Sequence, residues 1–414
     1  MGNITVEGNN EPIPKDYLIK QAIDDYLSCN VPDFKGMKKV SYLRKTINEK
    51  RIKSGLEKLV AETKPYRAAN PEELSPGEIE EIKKTIVSYL FEFDKKKYFF
   101  DRPFLTCFID RGYLNIAEEF IFRAKKEDSH LKSIEIFQAI RNVWIMNSLQ
   151  IIWAIPLEMT PSIYGYSMLY PYTDNFLDDP HIDMVDKDNF NHKLRKMLKG
   201  EEQTPDTAHE NRVFELIRKI ESQYDRHKYA QVYESVLLIQ EAQVESLSQD
   251  QNTRMMVDDI LPISFSKGGS SVLADAFLVK GNLSNDEMKF SFGYGTFLQL
   301  LDDLQDTIED RKEGHQTIFS IQDKYEVLDE HINKLIAYIF KVNTPRKSES
   351  ETMILMKEII SSCTLIMVMD AVGRNHTLVS KELYRKLESF SKVRLSFYKE
   401  LELRLNDYFE YYAL

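Results

Sequence analysis

The chain has 414 residues, of which 43% are hydrophobic and 11% aromatic, so it can bury a large core. Its net charge of −11 at pH 7 argues against a general nucleic-acid-binding protein. The cysteines, Cys29, Cys107 and Cys363, are far apart and not in CxxC spacing, which indicates reduced thiols rather than a disulfide framework or a zinc site.

The N-terminal stretch MGNITVEGNNEPIPKDY has neither the basic nor the apolar region of a signal peptide. The most apolar window, residues 143–155, is interrupted by Asn147, Ser148 and Gln150. No run reaches the roughly 18 uninterrupted apolar residues of a membrane span. We therefore expect a soluble, cytoplasmic protein without a transmembrane segment.

Helical periodicity dominates the chain, and Gly and Pro are scarce. Ser75 with Glu78, and Ser284 with Glu287, have the spacing of reciprocal capping boxes at helix starts. No alternating Val/Ile/Thr segments suggest a sheet, so the predicted fold is all-α with a single core. Helices are predicted at residues 15–29, 39–63, 76–93, 113–126, 130–155, 162–178, 189–199, 209–222, 228–248, 254–280, 286–310, 322–341, 351–371 and 378–412.

Residues 1–95 are more charged and less aromatic than the residues that follow them. We predict that they form an N-terminal helical extension packed on the core, and that residues 96–414 form the main domain.

The stretch YPYTDNFLDDP, residues 170–180, carries acidic side chains at the end of an aromatic, apolar helix. Asp174 and Asp178 are four residues apart and therefore project from one helix face, with Asp179 beside them. No Lys or Arg lies between Ile155 and Lys187. A solvated helix face normally mixes acids with bases, so this pattern indicates a site that receives its positive charge from elsewhere.

A second acidic stretch, FGYGTFLQLLDDLQDTIEDRKEGH, covers residues 292–315. Asp302, Asp306 and Asp310 follow the spacing i, i+4, i+8 within the predicted helix 286–310, with Asp303 and Glu309 alongside. Several carboxylates on one strip repel each other unless cations bind there. Mg²⁺ suits such a strip, because it is usually held by a few carboxylates together with substrate phosphates.

Two acidic helices that face one aromatic cavity would suit the Mg²⁺-assisted departure of pyrophosphate from an allylic diphosphate. The carbocation left behind needs a dry pocket with aromatic faces. The predicted cavity-lining residues are Trp144, Tyr170, Phe265, Gly268, Gly269, Phe277 and Tyr294. The predicted diphosphate-binding residues, in falling order, are Lys267, Arg311, Lys312 and Arg254.

The acidic pairs, the aromatic residues and the glycines each also have a purely structural interpretation. A single DxxxD pair among 66 acids arises by chance and is usually a solvated face. The aromatic residues taken singly are more often core, and glycines within helices often serve tight packing. Two acidic stretches, each ending an aromatic helix without interleaved bases, favour a functional site.

At these residues the chain resembles the class I terpenoid synthases, and within them the bacterial large-terpene synthases (class IB), which are related to squalene and phytoene synthases. The family's first motif is matched by Tyr172, Asp174, Asn175 and Asp178. Its second motif is matched by Asp302, Asp306, Glu309, Asp310, Arg311, Glu313 and Gly314. The likeness covers roughly residues 100–410.

The resemblance implies a single-core helical barrel and a carbon–oxygen lyase that acts on one prenyl diphosphate. It implies three Mg²⁺ ions bound with the substrate diphosphate. The implied catalytic residues are Asp174, Asp178, Asp302 and Asp306, and the implied metal ligands are these four together with Asp179, Asp303 and Asp310. The first motif reads DNFLDD rather than the DDxxD of chain-elongating prenyl synthases. The second has Asp302, Asp306 and Asp310 where terpene cyclases carry Asn, Ser and Glu, so the product is not transferable.

Two alternatives stay open from the sequence. One is a condensing enzyme of the squalene or phytoene synthase type, which joins two prenyl diphosphates. The other is a non-catalytic helical scaffold. The sequence gives neither substrate chain length nor oligomeric state, so a homodimer is compatible with it.

Overall fold

The computed structural model describes residues 11–68, 75–179, 181–250, 254–322 and 326–412, and at a few positions within helices, among them Asp178, only the backbone. The predicted all-α class is confirmed: these ranges contain 17 α-helices and no strand. The helices are α1 Lys15–Leu27, α2 Tyr42–Thr63, α3 Pro76–Lys95, α4 Leu105–Ile109, α5 Tyr113–Glu127, α6 Ser133–Ile152, α7 Pro161–Asp178, α8 Met184–Leu198, α9 Ala208–Gln223, α10 Ala230–Ser246, α11 Val257–Lys280, α12 Asn285–Gln305, α13 Thr307–Glu313, α14 Asp329–Val342, α15 Glu351–Arg374, α16 Lys381–Phe390 and α17 Leu395–Tyr412.

Both predicted capping boxes are present at the starts of α3 and α12. The Ser75 hydroxyl accepts from the Glu78 amide at 3.3 Å, and the Glu78 carboxylate accepts from the Ser75 amide at 2.9 Å. Ser284 and Glu287 form the same reciprocal pair before α12. Two backbone N–H groups that lack a partner within the helix are thereby satisfied at each start.

The predicted helix 286–310 is wrong at one position, because α12 ends at Gln305 and α13 begins at Thr307. Asp306, between them, has φ −91° and ψ 1°. The Thr307 hydroxyl donates to the carbonyls of Asp303 at 3.0 Å and Leu304 at 2.9 Å. Such back-bonding bends helices, so Asp310 does not continue the straight strip of Asp302 and Asp306.

The predicted helix 378–412 is likewise two helices, α16 and α17. Ser391 between them is extended, with ψ 145°, and its carbonyl accepts from the Lys45 ammonium at 2.7 Å. The short helix α4 was not predicted, because five residues are too few for a periodic pattern. Asp94 holds its start by accepting from the amides of Phe104 at 3.0 Å and Leu105 at 2.8 Å.

The chain divides into two compact units. The first unit comprises Met1–Cys29, Gly112–Ile321 and Tyr338–Lys357, and the second comprises Asn30–Arg111, Gln322–Ala337 and Glu358–Leu414. Residues before 30 thus fall in the first unit, and residues 30–95 fall in the second together with the C-terminal helices. The boundary near residue 95 stays a prediction.

In the first unit, α11 is the central helix and packs against α1, α6, α7, α10 and α12. Apolar side chains on all its faces are buried, as expected for a helix enclosed by others. It meets α12 most closely at Gly268 and Gly295. A Cβ on Gly295 would lie 1.9 Å from the Gly268 carbonyl oxygen, so only glycine permits this crossing.

We expect Gly295→Ala to destabilise the protein by about 3 kcal/mol or more, because the added methyl group would force two backbones apart. Gly77→Ala is the matched control, since a Cβ there meets no atom within 4 Å. Thermal unfolding of the two variants is the measurement. Equal melting temperatures would contradict the close crossing.

In the second unit, α2 packs on α3. Polar side chains on its buried face bond to the segment between α16 and α17. The Glu49 carboxylate pairs with the Arg394 guanidinium at 2.6 Å, and the Asn48 amide donates to the Lys392 carbonyl at 3.0 Å. A small apolar cluster of Leu59 and Ile82 joins α2 to α3.

Among the described helices, α15 alone is long and apolar enough to cross a membrane by length and composition. Its apolar window is 44% buried within the protein, and core helices of soluble proteins pass the same test. This is weak evidence for a membrane span.

Candidate functional site

The first acidic stretch lies at the C-terminal end of α7. Thr160 caps the start of this helix through the amide of Ile163, and Pro161 follows at the first helical position. Pro171 stands inside the helix just before the acids and cannot donate to the preceding turn. The helix ends at Asp178 and Asp179 is its C-cap residue, so the acids lie at its C-terminal end.

Asp174 is fixed by two donors. Its Oδ1 accepts from the Gln243 amide of α10 at 3.0 Å, and it also accepts from the hydroxyl of Tyr170, one turn earlier. A carboxylate held in this way is oriented before any ligand arrives.

The second acidic stretch crowds its carboxylates where α12 passes into α13. Asp303 is 5% exposed, its Oδ1 accepts from Gln299 at 2.8 Å, and its buried Oδ2 has no hydrogen-bond partner among the described residues. Burial, together with the charge of Asp302, raises its pKa to about 7. Burial and the charges of Asp303 and Asp306 likewise raise the pKa of Asp310 to about 7.

Asp306 is exposed, and its pKa is raised by partial burial and then by the charge of Asp302. Neighbouring acids thus add to the effect of burial on the pKa values of Asp306 and Asp310. A divalent cation at this corner would remove the repulsion.

The raised pKa of Asp303 makes the stability of the fold depend on pH. Between its unfolded pKa of 3.8 and its folded pKa of about 7, Asp303 binds a proton in the folded state that the unfolded state has released. The stabilisation that this proton gives is fully present below about pH 4 and is lost as pH rises to about 7. The difference corresponds to roughly 4 kcal/mol at most. Asp303→Asn keeps the size and removes the charge, so its melting temperature at pH 8 should exceed that of the wild type by roughly 5 °C.

Melting curves of both proteins from pH 5 to pH 8 measure this effect. The wild type should lose stability more steeply than the variant. Asp310 still titrates in the variant, so its slope should be reduced rather than abolished. Parallel curves would contradict the charge cost of a buried Asp303.

The two acidic stretches meet around Tyr170 and Arg141. Burial raises the pKa of the Tyr170 hydroxyl, and the charges of Asp174 in α7 and Asp302 in α12 raise it further. The Arg141 guanidinium of α6 acts on the same hydroxyl in the opposite sense and lies 4.0 Å from the Asp302 carboxylate. It also offsets part of the charge around Asp306. One acid from each stretch and one arginine therefore share a small region.

Other residues of the first motif face elsewhere. The Tyr172 hydroxyl donates to Asp128, and the Asn175 amide donates to Glu135 at 3.2 Å. Asp179 accepts from the His181 amide at 2.8 Å and so holds the turn after α7. The Asp178 side chain lies outside the described residues.

The predicted diphosphate-binding residues are separated by the structure. Lys267 in α11 acts on Asp303 and lies beside the second stretch. Arg311 donates to the carbonyls of Ser320 at 3.3 Å and Phe319 at 3.2 Å, which holds the chain after α13. Lys312 and Arg254 are exposed.

A cavity of about 50 Å³ lies beside the first stretch, between α7, α8 and α10. Tyr166, Tyr170 and Gln243 are among its lining residues. This volume is room for a few water molecules, since each needs roughly 10–15 Å³, and is too small for a hydrocarbon ligand without side-chain movement.

Of the residues predicted to line the cavity, Tyr170 alone borders this one among those described. The space beside Gly268 and Gly269 is filled by α12, so these glycines serve helix packing. Phe265 packs edge-on against Tyr26 at 5.6 Å, on the side of α1.

The remaining predicted lining residues also lie against protein. Phe277 is fully buried, Tyr294 packs against Phe297 at 5.2 Å, and Trp144 packs against Phe137 at 6.1 Å. Sequence position along an apolar helix did not reveal which face each aromatic side chain takes.

Arg141 stands out in the sequence as a base in the apolar stretch AIRNVWIMN, where it suits a buried structural pair and a ligand contact equally well, but its spacing gives no link to Asp302. No sequence pattern pointed to a second residue, Asp275. Asp275 in α11 is fully buried, and neither of its oxygens has a hydrogen-bond partner among the described residues. Burial raises its pKa well above the usual range, and when it is ionised it raises the pKa of Tyr166 in the cavity wall.

In the part of the chain that is described, no three His, Cys, Asp or Glu side chains lie close enough together to hold a metal ion. Mg²⁺ does not require such a cage, because one or two carboxylates and the phosphates of a substrate commonly suffice. Asp174, Asp302, Asp306 and Asp310 are the residues that could supply these carboxylates.

A second cavity, of about 520 Å³, lies between α1, the first half of α12 and the region after α14. Its bases are largely neutralised: Lys341 pairs with Asp25 at 2.6 Å, Arg346 with Asp286 at 2.9 Å, and the buried Lys357 with Glu349 at 2.5 Å. Paired bases suit a diphosphate poorly. The acidic region is therefore the better candidate site.

No protein-family model matches the chain, and neither a curated protein nor a solved structure is similar to it at a significant level.

Proposed function

We propose that the chain is a Mg²⁺-dependent class I terpene synthase with the helical barrel typical of that class, active in the cytoplasm. The reaction would start with heterolysis of the allylic C–O bond of one acyclic prenyl diphosphate, with the electron pair leaving on pyrophosphate. The resulting carbocation would cyclise and then lose a proton to give an alkene or add water to give an alcohol.

One observation supports this proposal above the others: the charges of Asp174 and Asp302 act on the same Tyr170 hydroxyl. These acids are 128 residues apart in the chain, and packing alone gives no reason to collect them around an arginine. Arg141 could donate to the departing pyrophosphate, because it is 61% exposed and only 4.0 Å from Asp302.

The donor set of the site fits a hard divalent cation. All the acidic side chains would bind a metal ion through carboxylate oxygens. Asp303 has a buried oxygen without a hydrogen-bond partner among the described residues. Asp306 and Asp310 have raised pKa values. Asp174, Asp302, Asp306 and Asp310 would hold Mg²⁺, with Asp303 behind them. Bound Mg²⁺ would supply positive charge to the leaving pyrophosphate.

Tyr170 and Tyr166 would form part of the wall that shields the carbocation from water. Lys267, beside Asp303, is the further base that could reach a diphosphate held by the second stretch. Both roles need side chains to move, since the adjoining cavity is small.

Product analysis with prenyl diphosphates of increasing length tests the proposal. We expect hydrocarbon or alcohol products with the carbon number of a single substrate, formed with Mg²⁺ and without NADPH. Two diphosphates would need more bases than Arg141 and Lys267 provide. Products of doubled carbon number, or a requirement for NADPH, would favour a condensing enzyme, and no pyrophosphate release from any substrate would favour a scaffold.

A further inference from the structure

The segment from Lys35 to Lys53 has a charge opposite to that of the whole protein. It contains eight basic residues and one acidic residue, a net charge of +7 in a chain of net charge −11. It consists of a loop and the first half of α2, in the second unit.

Most of these basic side chains form no ion pair with the described residues. Lys45 is buried against backbone carbonyls, Lys53 pairs with Glu400 at 2.7 Å, and Lys35 pairs with Asp33 at 3.3 Å. Five further basic side chains are exposed and form no ion pair with any described residue: Lys38, Lys39, Arg44, Lys50 and Arg51.

Apolar side chains project among these bases. Leu43 is 70% exposed, Tyr42 and Ile47 are also exposed, and Val31 lies just before the segment with 71% exposure. Leu43, Ile47 and Lys50 follow the spacing i, i+4, i+7 and so share one helix face. That face is opposite the buried one, which carries Lys45, Asn48, Glu49 and Ile52.

The inner contacts fix the direction of this face. Glu49 and Asn48 are bonded to residues 394 and 392, so α2 cannot rotate to bury Leu43 and Ile47 without breaking the Glu49–Arg394 pair. The exposed apolar groups are thus a fixed feature of the surface.

We propose that this surface, Lys38–Arg51 with Val31, binds the headgroup region of a membrane that contains anionic phospholipids. The five unpaired bases complement the lipid charge, and each such base contributes about 1 kcal/mol near an anionic bilayer, a factor of about five in binding. Leu43 and Ile47 would enter the boundary between headgroups and acyl chains.

A nucleic acid would use the bases but would gain nothing from aliphatic groups at the centre of the surface, since its exterior is phosphate. The lipid interpretation is independent of the proposed enzymatic activity.

Co-sedimentation of the full-length protein with vesicles tests the proposal, using phosphatidylcholine alone and phosphatidylcholine with phosphatidylserine at roughly a third of the lipid. We expect binding to the anionic vesicles that falls as salt is added. Lys39→Gln, Lys50→Gln, Arg51→Gln together should weaken it about a hundredfold. Leu43→Ser with Ile47→Ser should weaken it at least about tenfold.

Each variant has a matched control on another exposed surface. Lys125→Gln, Lys126→Gln, Lys347→Gln together remove the same number of charges, and Met184→Ser with Val185→Ser removes two exposed apolar side chains. Both controls should bind like the wild type. All variants should keep the wild-type melting temperature within a few degrees.

Three outcomes would overturn the proposal. The first is no binding, or equal binding to both vesicle types. The second is an equal loss in the control variants. The third is vesicle binding that survives Leu43→Ser with Ile47→Ser while a DNA or RNA duplex binds as tightly, which would assign the surface to nucleic acid.

Discussion

Replacing Asp174 or Asp306 with Asn should reduce turnover of a prenyl diphosphate by roughly 10²-fold or more at each position while the fold survives. Asn has almost the same size as Asp but lacks the negative charge that would hold Mg²⁺. Asp174 lies in the first stretch and Asp306 at the break in the second, so the pair tests whether both stretches serve one reaction.

The Asp306 variant should fold at least as well as the wild type. Removing a carboxylate whose pKa is raised by burial and by Asp302 relieves repulsion in the protein without ligands. At Asp174, the Asn oxygen can still accept from Gln243, so the local contact at 3.0 Å can persist. Loss of activity with unchanged or increased stability is the signature of a charge needed for ligand binding.

Pyrophosphate release with Mg²⁺ in excess, measured together with melting temperatures, checks this expectation. Asp188→Asn is the matched control, since Asp188 is exposed in α8, shortly after the first stretch. Asp183→Asn should also be tolerated, because Asp183 caps α8 through the Asp186 amide and Asn caps a helix equally well. Equal losses at all four positions would show that these ligands are wrongly assigned.

Local sequence signals predicted much of the fold. All fourteen helices predicted from periodicity overlap described helices, and the two capping boxes stand where Ser and Glu have the right spacing. These features depend on residues within one or two turns of each other, which is the range at which sequence patterns are informative.

The features of the fold that the sequence did not predict depend on contacts that local patterns do not encode. Asp306 interrupts the helix because Thr307 bonds back to the preceding turn, a choice that Thr makes in some helices and not in others. The sequence suggested that Gly268 permits a kink or the close approach of a ligand, whereas the structure places α12 against it.

The candidate site shows the same limit. The acids Asp174 and Asp302 were predicted from their patterns, but Tyr172 and Arg311 of the same motifs bond to other parts of the protein. Arg141 lies on α6, which carries neither motif. Its role depends on how α6 packs beside α7 and α11, and no spacing in the sequence encodes that packing.

Arg141→Gln should change the binding of Mg²⁺ and of the diphosphate in opposite directions, strengthening the first and weakening the second. The guanidinium lies 4.0 Å from Asp302 and acts on Asp306, so it attracts a diphosphate and repels Mg²⁺. Without it, the Mg²⁺ concentration for half-maximal activity should fall. KM for the diphosphate should rise, and kcat/KM at saturating Mg²⁺ should fall by about 10²-fold.

A purely structural arginine would not produce this split. Its loss would lower stability and weaken both ligands together. The melting temperature gives a second readout, because a ligand that binds only the folded state raises it. Mg²⁺ with pyrophosphate should stabilise the wild type clearly and the variant much less, whereas Mg²⁺ alone should stabilise the variant at least as much as the wild type.

Arg141→Lys and Arg385→Gln complete the experiment. Lys keeps the charge but loses the fork of donors, so it should recover part of the diphosphate affinity and restore the higher Mg²⁺ requirement. Arg385 is exposed on α16 in the second unit, and its substitution should change neither constant. If the binding of Mg²⁺ and the binding of diphosphate weaken in parallel in Arg141→Gln, then Arg141 only holds α6 in place. In that case Lys267 or another base must donate to the departing pyrophosphate.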